Sequence, residues 1–127
     1  MLHLTARIFG GVTIVDCSGR IVLGEESAKL RSLVKATLEK SNRIVLDLGD
    51  VAFIDSAGVG LLAGLFTSAQ MAGGGLKLAN LSLRMQDMLT VTRLYTVMEV
   101  FETAEEAARS FGAMGDSRGK GGHTAFD

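Results

Sequence analysis

Proline is absent from the 127-residue chain, and cysteine occurs once, at Cys17. Without proline there is no proline-rich partner motif. A lone cysteine excludes an internal disulfide, and Cys17, set in a strand-like run, reads as a small buried apolar residue. An excess of one charge is missing too. The 13 basic and 14 acidic side chains leave a net charge of −1, which gives no electrostatic case for binding nucleic acid or an anionic membrane. The longest apolar run, Val59 to Phe66, is far short of the roughly 20 residues of a bilayer span. No basic segment followed by an apolar one opens the chain, so no signal peptide is expected. These absences point to a cytoplasmic protein with neither nucleic acid nor membrane as partner.

What is present reads as an ordinary globular domain, 47% hydrophobic and 21% charged. A chain of this length forms one domain that buries about two-thirds of its unfolded surface. "LHLTARIF" alternates apolar and polar residues and breaks at Gly10-Gly11, a strand followed by a hairpin turn into a second strand, "VTIVDCSG". Leu30, Leu33, Val34 and Leu38 then recur at helical spacing, and the helix ends at Ser41 and Asn42. "RIVLDL" is the near-continuous apolar run of a central strand. A helix is expected over Ala57–Met71, stopped by Gly73-Gly74-Gly75 and followed by the strand "LKLAN". "LSLRMQDMLTVTRL" is amphipathic, with Leu81, Met85, Met88, Leu89 and Val91 assigned to one side. "VMEVF" forms a last short strand, and a last helix starts at Thr103, which can cap it. The order ββαβαβαβα is that of an α/β domain: a mixed sheet of about five strands with about four helices, mainly on one face. Residues 1–111 make the domain, and the glycine-rich segment 112–127 reads as a disordered tail.

The stretch "VAFIDSAGVGLLAGL", residues 51–65, holds the candidate chemistry. Asp55 and Ser56 stand where a strand gives way to a helix. A serine nucleophile would need a base, but the two histidines are His3, in the first strand, and His123, in the tail. A nucleophile elbow also wants glycine two places before the serine, where Ile54 stands. The same two isolated histidines argue against zinc. Gly58, Gly60 and Gly64 resemble a dinucleotide loop, yet Leu78-Ala79-Asn80 lacks the acid that would meet the ribose. No Walker loop exists, since Gly119-Lys120 precedes Gly121. The blander role of these glycines is to thin the helix start so that another backbone can come close. A phosphoaspartyl receiver built on Asp47 would need further acids, and only Asp16 is nearby in the early strands. Two readings of the corner stay open. Asp55 or Ser56 caps the helix, or Ser56 is a handle for phosphorylation, where first-turn N–H groups and the helix dipole would receive the phosphate.

"IDSAGVG" after "RIVLDLGDVAF" resembles the Asp-Ser-x-Gly-(Leu or Val)-Gly signature of the anti-sigma factor antagonists, the single-domain STAS proteins of bacteria. The likeness continues through "GGGLKLANLSLRMQDMLTVTRLYTVMEVFETAEEA" and covers residues from about 2 to 111. It implies a STAS-like mixed sheet and a partner-switching regulator of transcription, not an enzyme, with no cofactor or metal. It also implies a phosphoprotein whose serine phosphorylation falls on Ser56. The partner-binding surface would be Asp55, Ser56, Ala57, Gly58, Val59 and Gly60. By the same resemblance, the unphosphorylated form binds an anti-sigma factor that is also a GHKL-type serine kinase, freeing the sigma factor. A PP2C-type phosphatase resets the switch, and the isolated protein is a monomer. One departure stands out. Family members usually carry an acidic G-E-x-D pattern after the second strand, whereas here Arg20 follows Gly19, Val22 stands near the usual aspartate, and the acids are Glu25 and Glu26. Alternatives are a STAS scaffold of the stressosome or transporter-linked kind without direct sigma control, and a small-ligand sensor holding a nucleotide at the glycine-rich helix start.

Overall fold

The computed structural model describes residues 1–112. The strands are β1 (Leu2–Phe9), β2 (Val12–Ile21), β3 (Arg43–Ile54), β4 (Gly75–Ala79) and β5 (Val100–Phe101). The helices are α1 (Glu25–Leu38), α2 (Ser56–Met71), α3 (Leu83–Thr92) and α4 (Ala104–Arg109), with a 3-10 turn at Leu94–Thr96. The five strands lie side by side in chain order, β1 antiparallel to β2 and the rest parallel. Of the segment read as a tail, all but Gly112 falls outside the described residues.

Gly10 and Gly11 turn the β1–β2 hairpin with φ of 59° and 84°, the left-handed pair that a two-residue turn needs and glycine adopts without penalty. Side chains then alternate across the sheet. Val15, Cys17 and Ile21 of β2, Ile44, Leu46 and Leu48 of β3, and Leu76 and Leu78 of β4 point to one face, under Leu30, Val34, Leu62, Leu65, Met85 and Leu89 of α1, α2 and α3. Val12, Ile14, Val45 and Ala79 face the other way, under Ala104, Ala107 and Ala108 of α4. Three helices thus share one face. On the second, Lys77 ties α4 down: its Nζ lies 3.0 Å from Glu99, donates to Ser110 at 2.6 Å and sits 4.2 Å from the Phe111 ring. Cys17 is buried, and burial first, then the nearby Asp47 and Asp16, pushes its thiol up to about 12.

Two details depart from the sequence-based expectation. β3 runs on past "RIVLDL" to Ile54, because two irregularities in its pairing with β2 absorb extra residues after Asp47 and after Val51. Such bulges break the two-residue alternation that marks a strand. Val91, assigned to the apolar side of α3, is 80% exposed. It lies two residues past buried Leu89, about 200° round at 3.6 residues per turn.

The glycines of α2 divide into two kinds. A Cβ on Gly58 would overlap the carbonyl oxygen of Ile21 and come within 2.6 Å of Ile54 Cγ1. At Gly60 and Gly64 a Cβ would meet nothing within 4 Å, although glycine inside a helix costs about 1 kcal/mol relative to alanine. Gly64→Ala should therefore raise unfolding stability by about 1 kcal/mol, while Gly58→Ala should lower it by about 1–3 kcal/mol through overpacking. Urea unfolding of the two variants checks the contrast; equal effects of one sign would contradict it.

Candidate functional site

Asp55 is the hinge between β3 and α2. Its backbone is extended, with φ −100° and ψ −178°, which makes it the N-cap. One carboxylate oxygen, Oδ1, accepts the Gly58 N–H at 2.8 Å, satisfying a first-turn donor. The other, Oδ2, accepts the Leu23 N–H at 3.1 Å, across 32 residues, in the loop between β2 and α1. The Asp55 N–H donates to Ile21 O at 3.3 Å, and its carbonyl accepts from Val59 at 3.0 Å. On the far side of the loop, the Ser27 backbone N–H and hydroxyl both donate to Val22 O, at 3.1 Å and 2.7 Å. One acidic residue thus fixes the start of α2 against the end of β2. The N–H bonds of Leu23 and Gly58 hold its carboxyl below the ordinary carboxylate value.

Since Asp55 does the capping, Ser56 does not. Ser56 is the first residue of α2 and is exposed, and among the described residues no group hydrogen-bonds its hydroxyl. Of the two residues that the sequence offered as the cap, the structure assigns the role to Asp55. Of the other positions expected to meet a partner, Ala57 is half-buried and Gly60 exposed, one turn beyond Ser56 on the same side of the helix. Gly58 and Val59 are buried, so neither offers surface; they shape the corner from within. Gly58 does so by letting the helix start lie against the Ile21 carbonyl.

The sequence reading missed the partner of Asp55 in the β2–α1 loop. That loop is shorter than expected, because Gly19, Arg20 and Ile21 are still strand. Arg20 stacks over Phe53 of β3, 5.8 Å from the ring centre. Leu23, beside the corner, is 75% exposed. Glu25 and Glu26 lie in the first turn of α1, where the dipole favours acids. Asp47 accepts from the Gly49 N–H at 3.0 Å and from Asn80 Nδ2 at 3.2 Å, holding the strand ends together. Among the described residues no group of three His, Cys, Asp or Glu could hold a metal, and no helix is long and apolar enough to cross a membrane.

The domain so defined is a mixed sheet that presents an uncapped serine at a helix start braced by the preceding aspartate. Comparison with known proteins gives it a family. The STAS domain matches residues 3–107. The anti-sigma-B factor antagonist of Bacillus subtilis (strain 168) is 32% identical over 76 residues, 60% of this chain and 70% of that one. An anti-sigma factor antagonist from Mycobacterium paratuberculosis superposes with a TM-score of 0.73 at 20% identity, covering 84% of this chain and 91% of that one. The phosphorylated form of the Bacillus cell fate determinant SpoIIAA does so with a TM-score of 0.65, also at 20% identity, covering 83% and 96%. The two structural likenesses are of fold. The chain belongs to the STAS domain family, and within it to the anti-sigma factor antagonists.

A carboxyl whose folded-state pKa is depressed contributes stability that is full above about pH 5 and is lost as pH falls through the lower folded-state value. Asp55→Ala should therefore unfold at lower urea than the parent at pH 7, and the gap should close as pH falls below the ordinary Asp value of 3.8. Unfolding curves from pH 7 to pH 2.5 measure this; a gap independent of pH would contradict the assignment.

Proposed function

We propose that this protein is a partner-switching regulator in which unphosphorylated Ser56 marks the binding-competent state and phosphorylation of Ser56 ends it. The observation that carries the reading is the division of labour at the corner: Asp55 caps α2, and the Ser56 hydroxyl stands exposed and unbonded. A kinase can reach that hydroxyl without unfolding the chain. A phosphate there, with about −1.5 to −2 charges, would lie against the first-turn N–H groups and the positive end of the helix dipole. It would also stand beside the ionised Asp55, making the corner strongly anionic. A partner seated on the unmodified corner would then meet added bulk and charge, and repulsion of several kcal/mol amounts to roughly a hundred- to a thousand-fold in affinity.

The partner in this reading follows from the likeness to the anti-sigma factor antagonists. It is an anti-sigma factor that doubles as a GHKL-type serine kinase, opposed by a PP2C-type phosphatase. The protein acts as a regulator in the cytoplasm rather than as a catalyst, and is a monomer when alone. Residues 1–111 are the switching domain. The loop after the second strand lacks the acidic G-E-x-D pattern of family members, so their kinase contact at that loop is not carried over to this chain. Here that place is taken by Gly19, Arg20, Ile21 and Val22, and the following residue, exposed Leu23, is braced by Asp55.

Incubation with ATP and each GHKL-type kinase of the same genome, followed by intact-mass spectrometry and peptide mapping, tests the reading. One phosphoryl group on Ser56 is expected, with Ser56→Ala binding the kinase constitutively and Ser56→Asp binding it more weakly. Phosphorylation elsewhere, or none by any of these kinases, would contradict it and favour the scaffold reading.

A further inference from the structure

A shallow groove of about 350 Å³ runs between α1 and α2, starting one residue from Ser56. Arg31 and Lys35 of α1 form one wall, and Ala57, Gly60, Gly64 and Ser68 of α2 line the other. We propose that this groove seats an acidic amphipathic helix contributed by a partner protein, with the helix's carboxylates toward α1 and its small or apolar face on α2. The phosphate control of that docking rests on the Ser56 reading above; the groove itself does not.

Charge is the first argument. Arg31 and Lys35 are exposed, one helical turn apart and of like sign, an arrangement that destabilises an isolated helix. Neither takes part in an ion pair among the described residues. Glu39, one turn past Lys35, forms no ion pair with it, and the acids Glu25 and Glu26 are at the opposite end of α1. Facing these two cations, α2 carries no charged side chain in its 16 residues. The groove is thus a positive wall beside a neutral floor, and its complement is a surface acidic along one flank only.

The floor gives the second argument. Gly60 and Gly64 are exposed, and nothing inside the protein approaches the place of their missing Cβ atoms. Glycine weakens the helix at both positions without serving any internal contact. What it does provide is a smooth strip on which another backbone can lie closely. From Ala57 to Ser68 the strip follows the α2 axis for about 17 Å at 1.5 Å per residue. A straight groove along a helix axis fits a second helix, ridge into groove. Ser56 precedes Gly60 by one turn, at the head of the strip. A phosphate there would place negative charge against the end of an acidic helix and expel it.

The test uses the full-length, isotope-labelled protein and two synthetic peptides of about 18 residues, five helical turns. One is built of Glu, Ala and Leu with an acidic flank; the other has Lys in place of Glu. Saturable amide shifts at Arg31, Lys35, Ala57, Gly60, Gly64 and Ser68 are expected with the acidic peptide alone. The double variant Arg31→Glu, Lys35→Glu should weaken that binding by about tenfold or more and admit the Lys peptide. Gly64→Leu should abolish the shifts while unfolding no earlier than the parent, a separation that a purely structural role of Gly64 would not give. Equal response to both peptides, shifts elsewhere, or no saturable response at millimolar peptide would overturn the proposal. Phosphorylation of Ser56 by a kinase with no peptide response at the groove removes the groove and leaves the switch. Peptide docking in the groove without any Ser56 kinase leaves the groove and removes the switch.

Discussion

The corner depends on one carboxylate dividing its two oxygens between two segments. Asp55 holds the Gly58 N–H with one oxygen and the Leu23 N–H with the other, while its own backbone bonds to Ile21 and Val59. An N-cap acid in an isolated helix would satisfy a single turn. Here the same group also joins the end of β2 to the start of α2, so the loop and the serine keep a fixed relation. Charge-assisted bonds of this kind favour the ionised carboxyl and so hold it below the ordinary carboxylate value. The consequence reaches the next residue: the capping acceptor is supplied by Asp55, and the adjacent Ser56 hydroxyl is left exposed and unbonded.

The rest of the fold brings those segments together. β3 extends beyond its pairing with β4, which stops at Asp47, and continues against β2 alone to Ile54. β1 accompanies β2 as far as Gly19, opposite Val51, so beyond β4 the sheet narrows to three strands and then to the two strand ends Arg20–Ile21 and Phe53–Ile54, with the β2–α1 loop and the Ser56 corner at their tip. Gly58 permits the close contact at its base, because any side chain there would run into the Ile21 carbonyl. The core beneath is apolar, with Ile21, Ile54, Val59 and Leu62 in one cluster, so the corner rests on a rigid floor. Rigid support would suit the proposed switch: a partner would read a local change of charge, and the domain would have no need to rearrange.

Much of this was legible in the chain. Alternation in "LHLTARIF", the Gly10-Gly11 turn, the helical spacing of Leu30 and Val34, and the cap at Thr103 each rest on contacts within a few residues, and each element is found. The readings that missed have separate physical causes. The length of β3 depends on bulges that erase its period. Val91 is apolar within an amphipathic run, yet it lies on the solvent side of α3, so residue type alone misplaces it. The Asp55–Leu23 bond spans 32 residues, and no local pattern encodes it. The sequence suggests that the glycines of α2 are places of close approach. Within the chain that holds for Gly58 and not for Gly60 or Gly64, a distinction that only packing can make.

In the proposed switch, modification of Ser56 alters a surface and not a fold. The most direct measurement is the amide spectrum and thermal unfolding of the protein carrying phosphoserine at position 56, made by semisynthesis, beside the unmodified chain. Shifts confined to the β2–α1 loop and the first turns of α2, with the unfolding temperature changed by no more than about 5 °C, roughly 1 kcal/mol for a domain of this size, are the predicted result. Shifts spread through the sheet, or a large loss of stability on phosphorylation, would contradict it.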